Sequence, residues 1–131
     1  MLARVLVYGV FGCACELAFT AASRRPKLPS AWMLPIYGLA ALAFPPLRDA
    51  VRERSIVERA SAYAIAMIFA EYAIGRSLRA SFAAAPWRYD SGFAVDGVTR
   101  LDYLPLWALY GLALERLDDV VARGRRYGRG Q

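Results

Sequence analysis

The 131-residue chain has no histidine and only two cysteines, and these two absences remove most metal and redox chemistry at the outset. Histidine is the commonest transition-metal ligand and the side chain that titrates near neutral pH. Cys13 and Cys15 stand at i and i+2, which places them on different sides of a helix. They suit small packing positions better than a disulfide, and neither a zinc nor a haem site is supported. There is no GxxxxGK[ST] phosphate loop and no GxSxG nucleophile elbow, which excludes nucleotide hydrolysis by the P-loop route and hydrolase chemistry of the elbow type. Internal repeats and low-complexity tracts are missing as well. No cofactor is expected, and the chain reads as a binding or transport protein rather than an enzyme.

What is present is segregated. Residues 28–47 contain no charge, whereas residues 48–59 carry seven charged side chains in twelve. Blocks of this kind describe membrane spans and connecting loops better than a uniform water-facing surface. The net charge of +6 and the isoelectric point near 9.7 could serve nucleic acid, but the basic residues flank apolar segments. Anionic lipid headgroups explain them there, so no nucleic-acid partner is expected. The start of the chain, Arg4 followed by apolar residues 5–15, has the outline of a short signal peptide. The hydrophobic pattern continues past that point, so the segment is kept as the first span.

Four spans follow, at residues 2–22, 30–47, 56–80 and 103–121. The second contains Pro35 and is expected to stop at Pro45-Pro46. The fourth is charge-free only from Tyr103 to Leu114 and reaches spanning length if Arg116, Asp118 and Asp119 extend to the headgroups. Helices of about 20 residues cover ~30 Å, the thickness of the hydrocarbon core. The expected fold class is therefore all-α: an integral membrane bundle of four transmembrane helices with a long aromatic loop between helices 3 and 4. Residues 1–122 form one domain and 123–131 a basic flexible tail. With four spans, ten of the 17 basic residues fall on the side that holds both termini. That bias places the protein in the inner (plasma) membrane with both ends cytoplasmic.

Three isolated carboxylates, Glu16, Glu71 and Glu115, interrupt these spans. A charge at membrane depth costs several kcal/mol, about 2.5–3.5 on insertion scales, so such residues face the bundle interior and mark ion or substrate pathways. Counting along each helix puts Glu16 at ~18 Å and Glu71 at ~22 Å from the inner side, with Glu115 lower at ~10 Å. Acids at one level can share a proton or bind a cation. The competing reading is structural: each acid is locked by a local partner, for which Arg76, Arg79, Tyr37 and Tyr72 are available. Glu115 has a surface reading too, because Arg116 and Asp118 follow it.

The connection from Ser81 to Arg100 is longer than a bundle requires. It contains Pro86-Trp87-Arg88-Tyr89-Asp90 and then the turn Ser91-Gly92. Trp87 and Tyr89 fit an interfacial belt, or a re-entrant lid in which Trp87 stacks on a ligand and Arg88 or Asp90 supplies charge. Tyr103, Trp107 and Tyr110 recur at i, i+4 and i+7, a single aromatic stripe that reads as core or interface before it reads as a ligand box.

Glu16 with Phe19-Thr20, Trp32 with Ile36-Tyr37-Gly38, Glu71 with Gly75 and Leu78-Arg79, Pro86-Trp87-x-Tyr89, Gly97, Leu101-x-Tyr103, Trp107 and Glu115 stand in an order and spacing that resembles the small membrane family called Putative ABC-transporter type IV. Animal transmembrane protein 229 looks like a member of the same group. The resemblance runs from Tyr8 to Glu115 and implies a multi-span bundle, with the fourth segment embedded. It also implies a departure: the family pattern Pro-Trp-Asp-Tyr-Ser has Arg88 in place of its acid and Asp90 in place of its serine.

The expected function is a small-solute or ion transporter or channel, or the membrane component of one. Its candidate pathway residues are Glu16, Glu71, Glu115, Tyr37, Arg79, Trp87, Tyr89, Tyr103 and Trp107. A membrane-embedded lipid-handling protein or enzyme is the second reading, and a structural or accessory subunit the third. The partners implied are the lipid bilayer, further copies of the chain, and an unidentified subunit that would carry any ATPase.

Overall fold

The computed structural model describes residues 1–23, 28–82 and 86–127, with the side chains of the last helix described through 124. Four helices carry the chain: α1 (Leu2–Ala22), α2 (Met33–Val51), α3 (Ile56–Phe82) and α4 (Leu104–Tyr127), the last preceded by a 3-10 turn at Leu101–Tyr103. Between α3 and α4 lies a small antiparallel hairpin, β1 (Ala94–Val95) and β2 (Thr99–Arg100), in which Ala94 pairs with Arg100 and Val95 with Thr99. The all-α class holds. Arg24-Arg25-Pro26-Lys27 of the expected basic turn and residues 128–131 of the expected tail lie outside the described residues; residues 123–127 continue α4.

The second span differs from expectation. Pro35 falls in the first turn of α2, where a missing N–H costs little, and the helix passes through Pro45 and Pro46 to Val51 instead of stopping there. The two rings withdraw the donors that Ala41 and Leu42 carbonyls would otherwise receive. At the start of α3, Ser55 and Glu58 form a reciprocal cap: the Ser55 amide donates to the Glu58 carboxylate (2.9 Å) and the Glu58 amide to the Ser55 hydroxyl (3.3 Å). The Ser-x-x-Glu spacing encodes that start.

The described chain divides into two compact units, Met1–Ala50 with Arg116–Gln131, and Val51–Glu115. In the first, glycines let α1 and α2 approach closely. A Cβ on Gly9 would lie 2.6 Å from the Leu34 carbonyl oxygen and one on Gly38 would lie 2.8 Å from Val5, while one on Gly12 would enter the Tyr37 ring. Tyr8, Met33, Ala41 and Phe44 are buried there, with Tyr8 and Phe44 edge to face at 6.4 Å. In the second unit Tyr63, Ala64, Trp107, Tyr110 and Leu114 are buried. Gly111 of α4 sits against Tyr63 of α3 so closely that a Cβ would overlap its side chain. Gly111→Ala is expected to lose about 1–3 kcal/mol through overpacking. Gly124, where an added Cβ would meet nothing within 4 Å among the described residues, should gain up to about 1 kcal/mol from the same substitution through helix propensity. Thermal unfolding midpoints of the two variants in detergent check the contrast.

The outward faces are strongly apolar. Leu2, Leu6, Val10 and Leu17 of α1 are exposed, as are Leu39 and Leu42 of α2, Ile65 and Phe69 of α3, and Leu109 and Val120 of α4. Only α1 among the described helices is long and apolar enough to cross a membrane by length and composition. Pro45, Pro46, Arg48 and Asp49 dilute α2; five charged residues dilute α3; α4 ends in a charged half. Several of those polar groups point inward.

Candidate functional site

In the second unit, Glu71, Gly75 and Arg79 recur every four residues and so share one face of α3. The hairpin lies along that face in register. Arg79 donates to the carbonyl oxygens of Asp96 (2.5 Å) and Gly97 (2.8 Å), Val98 packs on Gly75, and the Thr99 hydroxyl donates to Glu71 Oε2 (2.6 Å). A Cβ at Gly75 would come within 2.8 Å of Val98, so this close approach requires glycine.

The turn that makes this possible is Asp96-Gly97, with φ of 51° and 64°. It closes with the Val98 amide on the Val95 carbonyl at 3.0 Å. Asp-Gly is a strong short hairpin signal because both residues tolerate the left-handed region. Asp96 is fixed further by the Tyr72 hydroxyl (2.8 Å) and Arg76 (3.7 Å). Tyr72, Arg76 and Arg79, the available partners for a membrane acid, are thus turned to the hairpin instead.

Glu71 is held on both oxygens by neutral donors. The Tyr89 hydroxyl reaches Oε1 at 2.6 Å, complementing Thr99 on Oε2. The buried Trp107 indole stands beside the same carboxylate without meeting strict hydrogen-bond geometry. Thr99 and Val98 are almost wholly buried. Among the described residues, no arginine or lysine forms an ion pair with Glu71.

Around this centre the aromatic residues are ordered. Tyr103 meets Tyr89 edge to face at 5.7 Å, and the Arg100 guanidinium lies 4.3 Å over the Tyr103 ring, a cation–π contact. Arg100 also pairs with Asp102, which accepts the Phe93 amide at 3.0 Å. The hydrogen bond from Arg100 holds the Asp102 carboxyl below the usual range. Its contribution to order is complete above the ordinary aspartate range and lost as pH falls through that lowered value. Trp87 is tied to the hairpin. Its N–H donates to the Val98 carbonyl (2.8 Å) and its ring edge approaches Gly75. Arg88 and Asp90 pair with each other at 2.6 Å, both well exposed, and supply no charge to Glu71.

Glu115 belongs to another cluster of the same unit. It accepts from Arg59 Nε (3.1 Å) and the Tyr63 hydroxyl (2.6 Å) and is mostly buried. The surface reading of Glu115 is corrected: α4 turns this residue toward α3. In the first unit, Glu16 accepts from Tyr37 at 3.1 Å and, like Glu71, has no ion pair among the described residues. The structure thus brings together Glu71, Tyr89, Trp107, Tyr103 and, through the hairpin, Trp87 and Arg79. Glu115 stands with Arg59 and Tyr63, and Glu16 with Tyr37. Cys13 and Cys15 are free.

Asp118, whose extension to the headgroups was the condition for a full-length fourth span, is fully buried in the first unit. Arg4 and Arg48 both ion-pair with it, and the Tyr8 hydroxyl donates to it. Asp119 joins from the rim through Arg48 (3.3 Å). Helical spacing carried the signal. Trp107, Tyr110, Gly111, Leu114 and Asp118 fall on one face, so the buried stripe leads to Asp118 and not away from it.

Each unit thus holds carboxylates in its interior, Asp118 in the first and Glu71 and Glu115 in the second, while many leucines and phenylalanines of the helices are exposed. The sequence profile of the family described as Putative ABC-transporter type IV matches residues 4–124, and the chain belongs to that family. No solved structure matches it.

Proposed function

We propose that the chain is a multi-span protein of the inner membrane, with both termini cytoplasmic, and that it passes a proton or small cation by way of Glu71, as a transporter, a channel or the membrane component of one. The inverted polarity supports the membrane reading. Phe69 and Leu109 are about two-thirds exposed, while Asp118 is fully buried. A water-soluble fold of this size does not leave so much aliphatic surface uncovered. In lipid the same surface is satisfied, and interior acids are the expected cost of a pathway.

The observation that carries the transport reading is the state of Glu71. Its carboxylate is held by the hydroxyls of Tyr89 and Thr99 and has no cationic partner among the described residues. A carboxylate in that setting can exchange a proton or a cation without first breaking an ion pair. Glu16 with Tyr37 offers a second group of the same kind. Glu115 and Asp118 are committed to arginines and serve the fold. Replacing Glu71 with Gln in proteoliposomes loaded with a pH-sensitive dye tests the reading by its effect on flux. The chain has no nucleotide-binding loop, so an ATP-driven version needs a separate ATPase subunit. A homo-oligomer fits the narrow pore of a single small bundle.

A further inference from the structure

We infer that the hairpin 94–100 is a strap that ionised Glu71 holds closed along α3, and that neutralising Glu71 releases the strap while Arg79 keeps its turn attached. The inference deepens the transport reading and rests on it for what the release would serve.

Three successive contacts fasten the strap over ~12 Å of helix: Arg79 on the turn carbonyls, Gly75 under Val98, and Glu71 on Thr99 and Tyr89. They differ in what they require. A guanidinium stays charged at every accessible pH, so the Arg79 end is permanent. An ionised carboxylate only accepts, which makes both hydroxyls donors and both bonds charge-assisted. When the carboxylate gains a proton, it has a donor of its own to place. One hydroxyl must then turn round to accept or lose its bond, and the remaining bonds are between neutral groups and weaker. Gln at this position imposes the same change without a proton.

The titratable and charged groups packed near Glu71 are few. Tyr89 comes from the segment before the hairpin. On α3, Tyr72, Arg76 and Arg79 are engaged with Asp96 and Gly97. On β2, Arg100 is engaged with Asp102 and Tyr103. The 3-10 turn adds Tyr103 and α4 adds Trp107, neither of them charged. Glu71 is thus the group whose ionisation governs the Thr99 and Tyr89 contacts, and Asp96 and Asp102 are the other carboxylates that could loosen the hairpin on acidification.

Hydrogen exchange of the full-length chain in detergent, read by mass spectrometry, tests this. The reporters are the amides of Tyr89 and Leu101, bonded at 3.0 Å to Gly97 and Phe93. At one neutral pH they are expected to exchange at least tenfold faster in Glu71→Gln than in the unsubstituted protein, with α1 peptides unchanged. Equal hairpin protection in the two proteins would overturn the inference. Should Glu71→Gln fail to fold, the unsubstituted protein decides alone. Its hairpin exchange, divided by that of α1, must rise tenfold on acidification before the helices open, and a flat ratio contradicts the strap. A rise that persists in a folded Glu71→Gln protein would assign release to Asp96 or Asp102 and also overturn it. The two readings fail separately. Unchanged flux with a released hairpin defeats transport through Glu71, whereas lost flux with a protected hairpin defeats the strap.

Discussion

Asp118→Ala is expected to destabilise the protein by about 3–5 kcal/mol, the range for removing one partner of a buried ion pair. The carboxylate is fully buried, and Arg4, Arg48 and Tyr8 all converge on it. Removing it takes the ion-pair partner from Arg4 and leaves Arg48 with only the more exposed Asp49 and Asp119. Against a total stability of about 5–15 kcal/mol, that loss should remove most of the folded protein from the membrane fraction and lower the unfolding midpoint steeply. The penalty comes from uncompensated charge, not from lost attraction. The triple substitution Arg4→Met, Arg48→Met, Asp118→Leu should therefore recover much of the stability. A single-variant loss below about 1 kcal/mol, the size of a surface ion pair, would show that the cluster does not hold α1, α2 and α4 together.

Glu71→Gln should bring proton flux in proteoliposomes down to the level of protein-free vesicles. The amide keeps the shape, so the helices have little reason to unfold even though its weaker bonds to Thr99 and Tyr89 let the hairpin loosen. It can neither bind and release a proton nor balance a cation. Glu71→Asp, which keeps the charge on a shorter stem, should retain part of the flux. Glu115→Gln provides the contrast, because Arg59 and Tyr63 consume that acid and its loss should appear in stability before it appears in flux. Full flux through Glu71→Gln, with an unaltered unfolding midpoint, would remove Glu71 from the pathway.

Much of the architecture is legible in the sequence because helix ends are local. The start and end of α1 and the start of α3 coincide with the expected boundaries, where charge blocks and the Ser55-Glu58 cap mark them. The end of α2 was not legible from Pro45-Pro46, since a helix tolerates lost donors when its neighbours support it. The Asp96-Gly97 turn carried a local signal for the hairpin, masked by the expectation of a plain loop. Glu71, Tyr89, Tyr103 and Trp107 could be proposed as site residues from their isolation in apolar surroundings and their helical spacing. Their actual partners could not. Arg4 and Asp118 are 114 positions apart; the stripe on α4 gives Asp118 its inward direction, but no local pattern names an arginine from the other end of the chain as its partner. Thr99, a small hydroxyl in a turn-rich stretch, offered no chemical signal until the hairpin placed it on Glu71.

The central claim is that lipid, not water, covers the outward face of helices beyond α1. Phe69 of α3, 70% exposed and close to Glu71 along the same helix, is the place to measure it. A nitroxide attached at Phe69→Cys, with Cys13 and Cys15 replaced by alanine and the protein in liposomes, reports which medium surrounds it by power-saturation electron paramagnetic resonance. Lipid predicts relaxation dominated by oxygen over a water-soluble nickel chelate. Relaxation dominated by the chelate would place Phe69 in water and contradict the membrane reading of α3.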